Sequence, residues 1–474
     1  MTTILINEAQ NLECKNIVVD LDEVFTNFKV EDLNALEFAE RKPLRIFLVS
    51  FLILTGLLRR FKFFTSRGTS FDLSLLQIKN KTVLQNLINS ANINKKIIFI
   101  HTGNQGNTLR VTDLVKSELN LNKPLILTSI NEFSNSKWFE SNIGDSGYYY
   151  LYKSRGKRFV SNRATKHLKV KSELNLTERV IQRIKTFFKA IRISHWSKNF
   201  LVFVPILAAH KVLSIETWVQ GFVYFVSLSL IASGTYIFND LVDLKYDFFH
   251  SYKHKRPLVS GAIPLKKGIQ ILLVLIISGF LLSTFFLNLK ATVSLIIYFL
   301  LTLMYSFTIK KVLALDLVAL ALLHTIRVVG GALAITVPLS FWMLSFSMFI
   351  FFSMAAIKRS VEIANSGNKS IPGRPYTSED LIVTNIVGIS SGIASVLVFA
   401  LYVQSPEVVN IYYRSPEILI LAIPVLLYWV YYAWLNAIRK LIHHDPVYWA
   451  LRDRGSLISL FLLLVIGLAA SLIA

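Results

Sequence analysis

The sequence predicts a multi-pass all-α membrane protein that carries an α/β domain at its N-terminal end. Of its 474 residues, 53% are apolar, and the mean hydropathy is +0.51. The apolar residues are concentrated in long runs after about residue 198, whereas the first third has the composition of a soluble protein. Before those runs, apolar strand-like stretches alternate with polar helical stretches, which is the pattern of a layered α/β domain.

Three apolar stretches near the N-terminus predict buried parallel strands, at residues 17–22, 96–101 and 124–128. Polar helical stretches lie between them, at 82–91 and 107–119. The apolar run at 46–58 is shorter than the ~20 residues of a membrane span, so we interpret it as an interfacial or cap helix. We assign residues 1–150 to the α/β domain and residues 151–190 to a basic linker with a juxtamembrane helix.

Residues 191–474 form the predicted membrane domain. Its nine hydrophobic segments lie near residues 199–213, 218–238, 269–288, 290–309, 312–336, 340–357, 381–403, 416–436 and 455–474. The first segment is short, which favours a tilted or partly re-entrant course.

The loops between these segments alternate in charge. The loops that follow the second, fourth, sixth and eighth segments, here called even-numbered, are all basic. The only basic residues of the odd-numbered loops are Lys211, Lys290 and Arg414. Basic loops stay in the cytoplasm, so we expect a cell-membrane protein with its N-terminal domain inside and its C-terminus outside. Residues 1–10 lack the basic start and apolar core of a signal peptide, which agrees with this orientation. The formal charge of +22 fits loops at an anionic leaflet better than nucleic-acid binding, because no basic-aromatic module is visible.

An aspartate-rich motif at the cytoplasmic end of the second segment is the strongest functional signal. Asn239 precedes Asp240, Asp243 and Asp247, whose spacings of three and four place them on one face of a continuing helix. Crowded carboxylates repel unless a divalent cation lies among them, and Mg²⁺ prefers oxygen ligands and bridges to substrate phosphates. We therefore predict that the three aspartates hold magnesium; the alternative is a solvated acidic helix end.

Cationic and polar side chains occur near the same predicted membrane face and could bind an anionic substrate. They are Arg192, Trp196, Lys198, Asn199, Lys255, Arg256, Lys358, Arg359, Arg452 and Arg454. Topology-determining or snorkelling cations are the alternative. Within the fifth segment, Asp316, His324 and Arg327 are spaced to face the bundle interior and could act in catalysis. The alternative is a purely structural Asp–Arg pairing across helices.

The N-terminal domain has its own candidate site. Asp20 and Asp22 close the first strand, Thr102 follows the second, and Asp145 lies further along the chain. An acidic nucleophile, a second carboxylate, a hydroxyl and a magnesium-binding aspartate suggest aspartyl-phosphate chemistry.

The membrane part resembles the UbiA superfamily of intramembrane prenyltransferases, whose motif Asn-Asp-x-x-Asp-x-x-x-Asp is matched by residues 239–247. The resemblance implies nine transmembrane helices around a polar cavity. Within the superfamily the sequence is most similar to the decaprenyl-phosphate phosphoribosyltransferases, through residues 192–199, 254–261, 326–331, 358–359 and 450–454. Aromatic prenyltransferases of the superfamily carry a second aspartate-rich motif where this chain has the basic stretch that begins at Lys358.

The N-terminal domain is similar to haloacid-dehalogenase-type phosphatases. That likeness implies Asp20 as nucleophile, Asp22 as acid/base, Thr102 as a phosphate-binding hydroxyl and Asp145 as a magnesium ligand, with Lys137 as a further candidate. The family's Gly-Thr after the second aspartate is Glu-Val here, and tyrosines replace the aspartate expected after residue 146. Both a working phosphatase and a degenerate domain therefore stay open.

Together these features predict magnesium-dependent transfer of 5-phosphoribose from phosphoribosyl pyrophosphate to a polyprenyl phosphate. Asn239, Arg327 and the three aspartates would be the catalytic residues of this transfer. One alternative is transfer of a polyprenyl group from its diphosphate to an aromatic or other small acceptor. Another is a transporter or scaffold with a regulatory soluble domain, although no clear internal repeat is visible.

Overall fold

The computed structural model describes most of the chain from residue 176 onward, and short segments before it. The described residues are 16–21, 96–101, 111–113, 115–117, 126–129, 133, 141, 149–152, 164, 166–169, 176–209, 211–249, 253–366, 374–405, 415–442 and 445–472. They belong to two compact units. One comprises residues 1–190 and 237–271, and the other comprises residues 191–236 and 272–474.

A five-stranded parallel sheet lies in the first unit, with strand order β3-β2-β1-β4-β5. Its strands are β1 (Asn16–Asp20), β2 (Lys96–His101), β3 (Ile126–Ser129), β4 (Tyr149–Tyr152) and β5 (Lys166–Lys169). The strands predicted near residues 17, 96 and 124 are confirmed as β1, β2 and β3. Residues 111–113 and 115–117 are helical, within the helix predicted at 107–119.

Consecutive buried residues explain why the central strands are parallel and covered on both faces. Val18 and Val19 of β1 are fully buried, as are Ile98, Phe99 and Ile100 of β2. Neighbouring residues of a strand point to opposite faces, so burial of both means that both faces are covered. The two strands pair in parallel, with Val19 opposite Phe99.

Strands β4 and β5 extend the sheet into the stretch that the sequence suggests is linker. β4 crosses the expected boundary at residue 150, and β5 lies wholly within 151–190. The sequence of β5, Lys-His-Leu-Lys, lacks the apolar character of a buried strand. Its place at the edge of the sheet explains this, because edge strands tolerate lysine and gain protection from unwanted pairing. The predicted helices at 46–58 and 82–91 lie outside the described residues.

The helices from residue 176 onward account for the rest of the described chain. They are α1 (Leu176–Ala190), α2 (Val204–Ala208), α3 (Ile215–Val242), α4 (Leu244–Phe249), α5 (Leu265–Phe286), α6 (Leu289–Phe307), α7 (Leu315–Ala334), α8 (Phe341–Ser366), α9 (Asp380–Val403), α10 (Ala422–Ile438), α11 (Pro446–Ala450) and α12 (Arg454–Leu472). Short 3-10 helices occur at Ile193–Phe203, Lys253–Lys255, Ile309–Lys311 and Pro416–Leu421.

In the part of the chain that the structure describes, seven helices are long and apolar enough to cross a membrane. They are Ile215–Val242, Leu265–Phe286, Leu289–Lys311, Leu315–Ala334, Phe341–Ser366, Asp380–Val403 and Glu417–Ile438. The protein is therefore a multi-span helical membrane protein, but the predicted count of nine spans is not confirmed. The first predicted segment is broken into a 3-10 helix and the five-residue α2, and the last contains a shorter apolar helix, Arg454–Ala470.

Small residues allow the second unit to pack its helices closely. A Cβ on Gly331 of α7 would lie 2.1 Å from the carbonyl oxygen of Val202 in the 3-10 helix. A Cβ on the neighbouring Gly330 would lie 1.7 Å from the hydroxyl of Tyr224 in α3. Close backbone approach through glycine is typical of membrane helices. It brings the 3-10 helix, with Lys198 and Asn199, against α7, which carries Arg327.

Candidate functional site

The aspartate-rich motif lies where α3 passes into α4. Asn239 and Asp240 belong to the last turns of α3, Asp243 lies between the helices, and Asp247 belongs to α4. The backbone N–H of Asp243 donates to the carbonyl of Asn239 (2.9 Å), and that of Asp247 donates to the carbonyl of Asp243 (2.8 Å). Helical hydrogen bonding therefore continues across the junction. The side chains of Asp240 and Asp247 are buried.

Arg256 joins two carboxylates of the motif. Its Nη1 lies 3.0 Å from Oδ1 of Asp240 and also donates to Oδ2 of Asp247. Nζ of Lys253 lies 3.5 Å from Oδ1 of Asp247. The sequence predicts Arg256 to be a substrate cation, and here it neutralises the two buried aspartates. Asp240 and Asp247 thus converge on one positively charged nitrogen.

The donor chemistry of the motif fits a magnesium ion. Two carboxylates face one cationic group, and Oδ1 of Asn239 is buried with no hydrogen-bond partner among the described residues. Hard oxygen donors of this kind suit Mg²⁺. No group of three or more His, Cys, Asp or Glu side chains within the described ranges is close enough to hold a metal by itself. A bound ion would therefore need oxygens from a substrate or water to complete its shell.

A second polar cluster, in the other unit, is centred on Asp445 and is called the Asp445 cluster. Oδ2 of Asp445 lies 2.5 Å from Nζ of Lys198 and 3.7 Å from Nζ of Lys358. Oδ1 of the same carboxylate accepts the N–H of Val447 (3.2 Å) and so caps α11. The side chain of Lys198 is 9% exposed, that of Asp445 14% and that of Lys358 34%. Two lysines from distant segments therefore share one carboxylate oxygen.

Burial and charge set the ionisation of this cluster. Burial lowers the pKa of Lys198 to about 8, although Asp445 acts to raise it. Burial by itself would raise the pKa of Asp445, but Lys198 and Lys358 hold it well below its usual range. Burial, together with Lys198 and Arg192, lowers the pKa of His195 to about 3, so this imidazole is neutral at physiological pH. Lys198 is the group in the cluster whose charge changes near neutral pH.

Arg327 is held by side chains from two other segments and by a carbonyl of its own helix. Its Nε donates to Oδ1 of Asn199 (3.0 Å), its Nη2 donates to the hydroxyl of Tyr298 (3.2 Å), and its Nη1 donates to the carbonyl of Leu323. Asn199 in turn donates from Nδ2 to Oγ of Ser229 in α3 (2.9 Å). Asn199 thus positions the guanidinium.

Trp196 and Arg192 lie against α3. Nε1 of Trp196 donates to Oγ of Ser233 (3.0 Å), and that hydroxyl donates to the carbonyl of Ile191 (2.8 Å). The guanidinium carbon of Arg192 lies 4.9 Å from the ring centroid of Tyr236. These contacts give both residues a structural role. Their predicted role in substrate binding stays a prediction.

Asp316 pairs with Arg359. The guanidinium Nη2 lies 2.5 Å from Oδ2 of Asp316, and neither side chain is exposed. Glu362 also pairs with Arg359, and the hydroxyl of Tyr376 donates to Oδ1 of Asp316 (2.6 Å). The sequence predicts Arg359 to bind substrate beside Lys358, but its guanidinium pairs with buried Asp316 and with the partly exposed Glu362. Lys358 alone of the two reaches the Asp445 cluster.

The remaining predicted cations of the membrane domain are exposed. Lys255 and Arg454 are exposed, and so is Arg452, whose guanidinium carbon lies 4.4 Å from the ring centroid of Tyr448. The structure thus brings Lys198, Asn199, Arg327 and Lys358 into buried or half-buried polar contacts, and leaves these three at the surface.

In the N-terminal domain, Asp20 is the last residue of β1. Asp22, Thr102, Lys137 and Asp145 lie outside the described residues. β1 lies at the point where the strand order changes direction, between β2 and β4. Ligands of open parallel sheets bind beyond the carboxyl ends of the strands at such a point.

Asp445 is a site residue that the sequence did not predict. Two signals could have found it: it is the only acidic residue in the basic stretch 437–452, and it directly precedes Pro446. Aspartate before proline is a typical N-cap pattern, which fixes the carboxylate at a helix start. Tyr298, which contacts Arg327, carried no comparable signal.

Comparison with known proteins gives a family match to the membrane part. The sequence profile of the UbiA prenyltransferase family matches residues 200–441. The chain is 33% identical over 277 residues to the uncharacterized protein y4nM of Sinorhizobium fredii, covering 58% of this chain and 53% of that protein. It is 30% identical over 300 residues to the nodulation protein NoeC of Azorhizobium caulinodans, covering 61% of this chain and 92% of NoeC.

A shorter match is to an enzyme with an assigned reaction. The chain is 30% identical over 179 residues to the decaprenyl-phosphate phosphoribosyltransferase of Mycobacterium tuberculosis, covering 37% of this chain and 59% of that enzyme. The chain thus spans little more than half the length of y4nM and of this enzyme. Among solved structures, a UbiA homolog from Archaeoglobus fulgidus bound to GPP and Mg²⁺ aligns with a TM-score of 0.46 and 14% identity, covering 60% of this chain and 99% of that chain.

Proposed function

Because the chain belongs to the UbiA prenyltransferase family, we propose that it is a magnesium-dependent intramembrane transferase that moves 5-phosphoribose from phosphoribosyl pyrophosphate to a polyprenyl phosphate. The observation that carries this choice is the presence of two polar clusters of different charge. The aspartate-rich motif is acidic, whereas the Asp445 cluster brings together two lysines around one carboxylate. One acidic site suits one diphosphate, and a cationic site suits an acceptor that is itself a phosphate.

The acidic motif is assigned to the leaving pyrophosphate. Magnesium held at Asp240, Asp243 and Asp247, with substrate or water oxygens completing its shell, would neutralise that group as the C1–oxygen bond of the ribose breaks. Arg256 already contacts two of these carboxylates and would hold them in position or move to a pyrophosphate oxygen. Asn239 offers a buried amide oxygen that has no other partner among the described residues.

The cationic residues are assigned to the acceptor. Lys198 and Lys358 would bind the phosphate of the polyprenyl lipid, and one of its oxygens would form the new bond to C1. Arg327, fixed by Asn199 and Tyr298, would stabilise the negative charge that this step redistributes. The lipid tail would lie between the membrane helices. In this proposal the N-terminus is cytoplasmic, the C-terminus is outside, and nucleic acid plays no part.

The relatives favour this reaction over the main alternative. Phosphoribosyl transfer is the reaction named for the 30% identical mycobacterial enzyme. Transfer of a polyprenyl group from its diphosphate to a small acceptor is the second candidate, favoured by the name of the family itself.

The test is a reaction with purified full-length protein in detergent. The protein would receive labelled phosphoribosyl pyrophosphate, magnesium and a panel of polyprenyl phosphates, and the products would be separated by chromatography. We expect a labelled lipid that retains the 5-phosphate, and none with the Asp240→Asn variant. Product formed only from a polyprenyl diphosphate and an aromatic acceptor would replace this proposal by the second candidate.

For the N-terminal domain we propose a phosphatase of the haloacid-dehalogenase type. Its support is the parallel sheet with Asp20 at the carboxyl end of β1, where the strand order changes direction. Its substrate would be the 5-phosphate of the lipid product, because a phosphatase fused to the transferase gains effective concentration on that product.

A further inference from the structure

We propose that Asp445 is a positioning residue that keeps Lys198 charged and directed, beside Lys358, toward the phosphate of the acceptor lipid. This inference rests on the proposed function, because it takes a lipid phosphate as the ligand of the two lysines. Asp445 itself is not expected to touch the reacting atoms.

The geometry of the carboxylate carries the proposal. Oδ1 is held by the N–H of Val447 at the start of α11, so the side chain is fixed by its own helix. Oδ2 is left for the ammonium groups of Lys198 and Lys358, at 2.5 and 3.7 Å. Each ammonium has three N–H donors, so binding to Asp445 leaves donors for an anion. Two ammonium groups that share one oxygen are close enough for a single phosphate to bridge them.

Burial explains why Lys198 needs such a partner. Its side chain is 9% exposed, and an ammonium in that environment loses much of its hydration. Several charged or titratable groups face it from the elements packed around it: His195 and Arg192 on or beside its own 3-10 helix, Arg327 and His324 from α7, and Lys358 from α8. His195 is neutral. The arginines and Lys358 are cationic, and these cations favour the uncharged form of Lys198. Asp445 is the carboxylate that opposes them.

A matched pair of substitutions isolates the role of this charge. Asp445→Asn removes the charge but keeps the helix cap, because asparagine caps as well as aspartate does. Asp380→Asn is the control: Asp380 also bonds a nearby backbone N–H, that of Thr377, and has no ion pair with a lysine among the described residues.

The measurement is the affinity of the full-length protein in a nonionic detergent for farnesyl phosphate, by calorimetry between pH 6.5 and 10. A phosphate monoester loses its second proton near pH 6, so the protein's own groups dominate the higher range. In the wild type we expect affinity to fall as pH rises through about 8, where Lys198 loses its proton. In Asp445→Asn this midpoint should move down by roughly one pH unit or more, because the opposing carboxylate is gone.

Two further variants keep the proposal testable if Asp445→Asn does not fold. Asp445→Glu should return the midpoint toward that of the wild type, whereas Lys198→Gln should abolish the fall in affinity near pH 8. An unchanged midpoint in folded Asp445→Asn, or the same fall in Lys198→Gln, would overturn the inference. If wild-type protein binds farnesyl diphosphate but not farnesyl phosphate, the proposed acceptor is wrong. The role of Asp445 is then tested separately, by the pH midpoint of the affinity for farnesyl diphosphate in the wild type and in Asp445→Asn.

Discussion

Arg359 and Asp316 form an ion pair in which neither side chain is exposed, with Nη2 of the arginine 2.5 Å from Oδ2 of the aspartate. The pair joins α7 to α8. Tyr376 links the segment before α9 to this pair. Its hydroxyl donates to Oδ1 of Asp316, and its ring centroid lies 5.0 Å from the guanidinium carbon of Arg359. Arg359 is thereby committed to structure, although its neighbour Lys358 belongs to the Asp445 cluster.

We expect removal of either partner of this pair to destabilise the protein. Asp316→Asn leaves the buried guanidinium of Arg359 with Glu362 as its acidic partner, and Arg359→Met leaves buried Asp316 with Arg374 at 3.8 Å. Breaking the buried pair should still cost up to about 3–5 kcal/mol. The unfolding temperature in detergent should fall sharply for both variants and little for Asp380→Asn. If Arg359→Met keeps its unfolding temperature but no longer binds farnesyl phosphate, Arg359 is a substrate residue after all.

The aspartate-rich motif makes a prediction about activity. Asp240→Asn and Asp243→Asn should each remove transferase activity, because losing a positioned metal costs several kcal/mol of transition-state stabilisation. Activity would be followed with labelled phosphoribosyl pyrophosphate, and insertion by membrane fractionation. A suitable control is Glu417→Gln, which removes the charge of an exposed acidic residue just before α10. Activity within a few-fold of the wild type in both aspartate variants would exclude the assignment.

The charge pattern of the loops predicts the topology. Nine spans, with basic loops after the second, fourth, sixth and eighth, place residue 1 inside and residue 474 outside the membrane. A reporter active only outside the cytoplasm should therefore work when fused at Ala474. A reporter that proves cytoplasmic there would show that the span count or the orientation is wrong.

Asp20 gives a prediction about the product. If it attacks the 5-phosphate of the phosphoribosyl lipid, Asp20→Asn should let this phosphorylated lipid accumulate while the transfer step continues. Mass spectrometry of the lipid products would distinguish ribosyl from phosphoribosyl lipid. Identical phosphorylated products from the wild type and Asp20→Asn would assign the domain a structural or regulatory role.

The helix α1 predicts a contact with the lipid interface. One stripe of it carries five exposed apolar residues, each 38–49% exposed: Val180, Ile181, Ile184, Phe187 and Phe188. Basic residues such as Lys185 and Lys189 occupy other faces, and this combination is typical of helices that lie in the membrane surface. A polarity-sensitive fluorophore on a cysteine at position 184, in a Cys14→Ser background, should emit at shorter wavelength in anionic vesicles than one at position 185. Equal emission from both positions would contradict an interfacial helix.

The sequence by itself determined the features that depend on local spacing. The hydropathy of each segment predicted the helical membrane domain, and apolar runs of a few residues predicted β1, β2 and β3. The placement of Asp240, Asp243 and Asp247 on successive turns also follows from local spacing, since helical hydrogen bonds continue across the junction of α3 and α4. These properties act within a few turns of chain, so pattern alone reveals them.

Only the tertiary structure decided which charges meet. Lys198 and Asp445 are 247 residues apart in the chain, and Asn199 and Arg327 are 128 apart. The sequence left open a structural Asp–Arg pairing across helices without its partner, and in the structure Asp316 pairs with Arg359 of α8. Such pairings depend on which helix faces approach closely, as at Gly331 against Val202. Segment hydropathy does not identify those faces, because lipid tails are as apolar as the side chains and helix association depends on close packing.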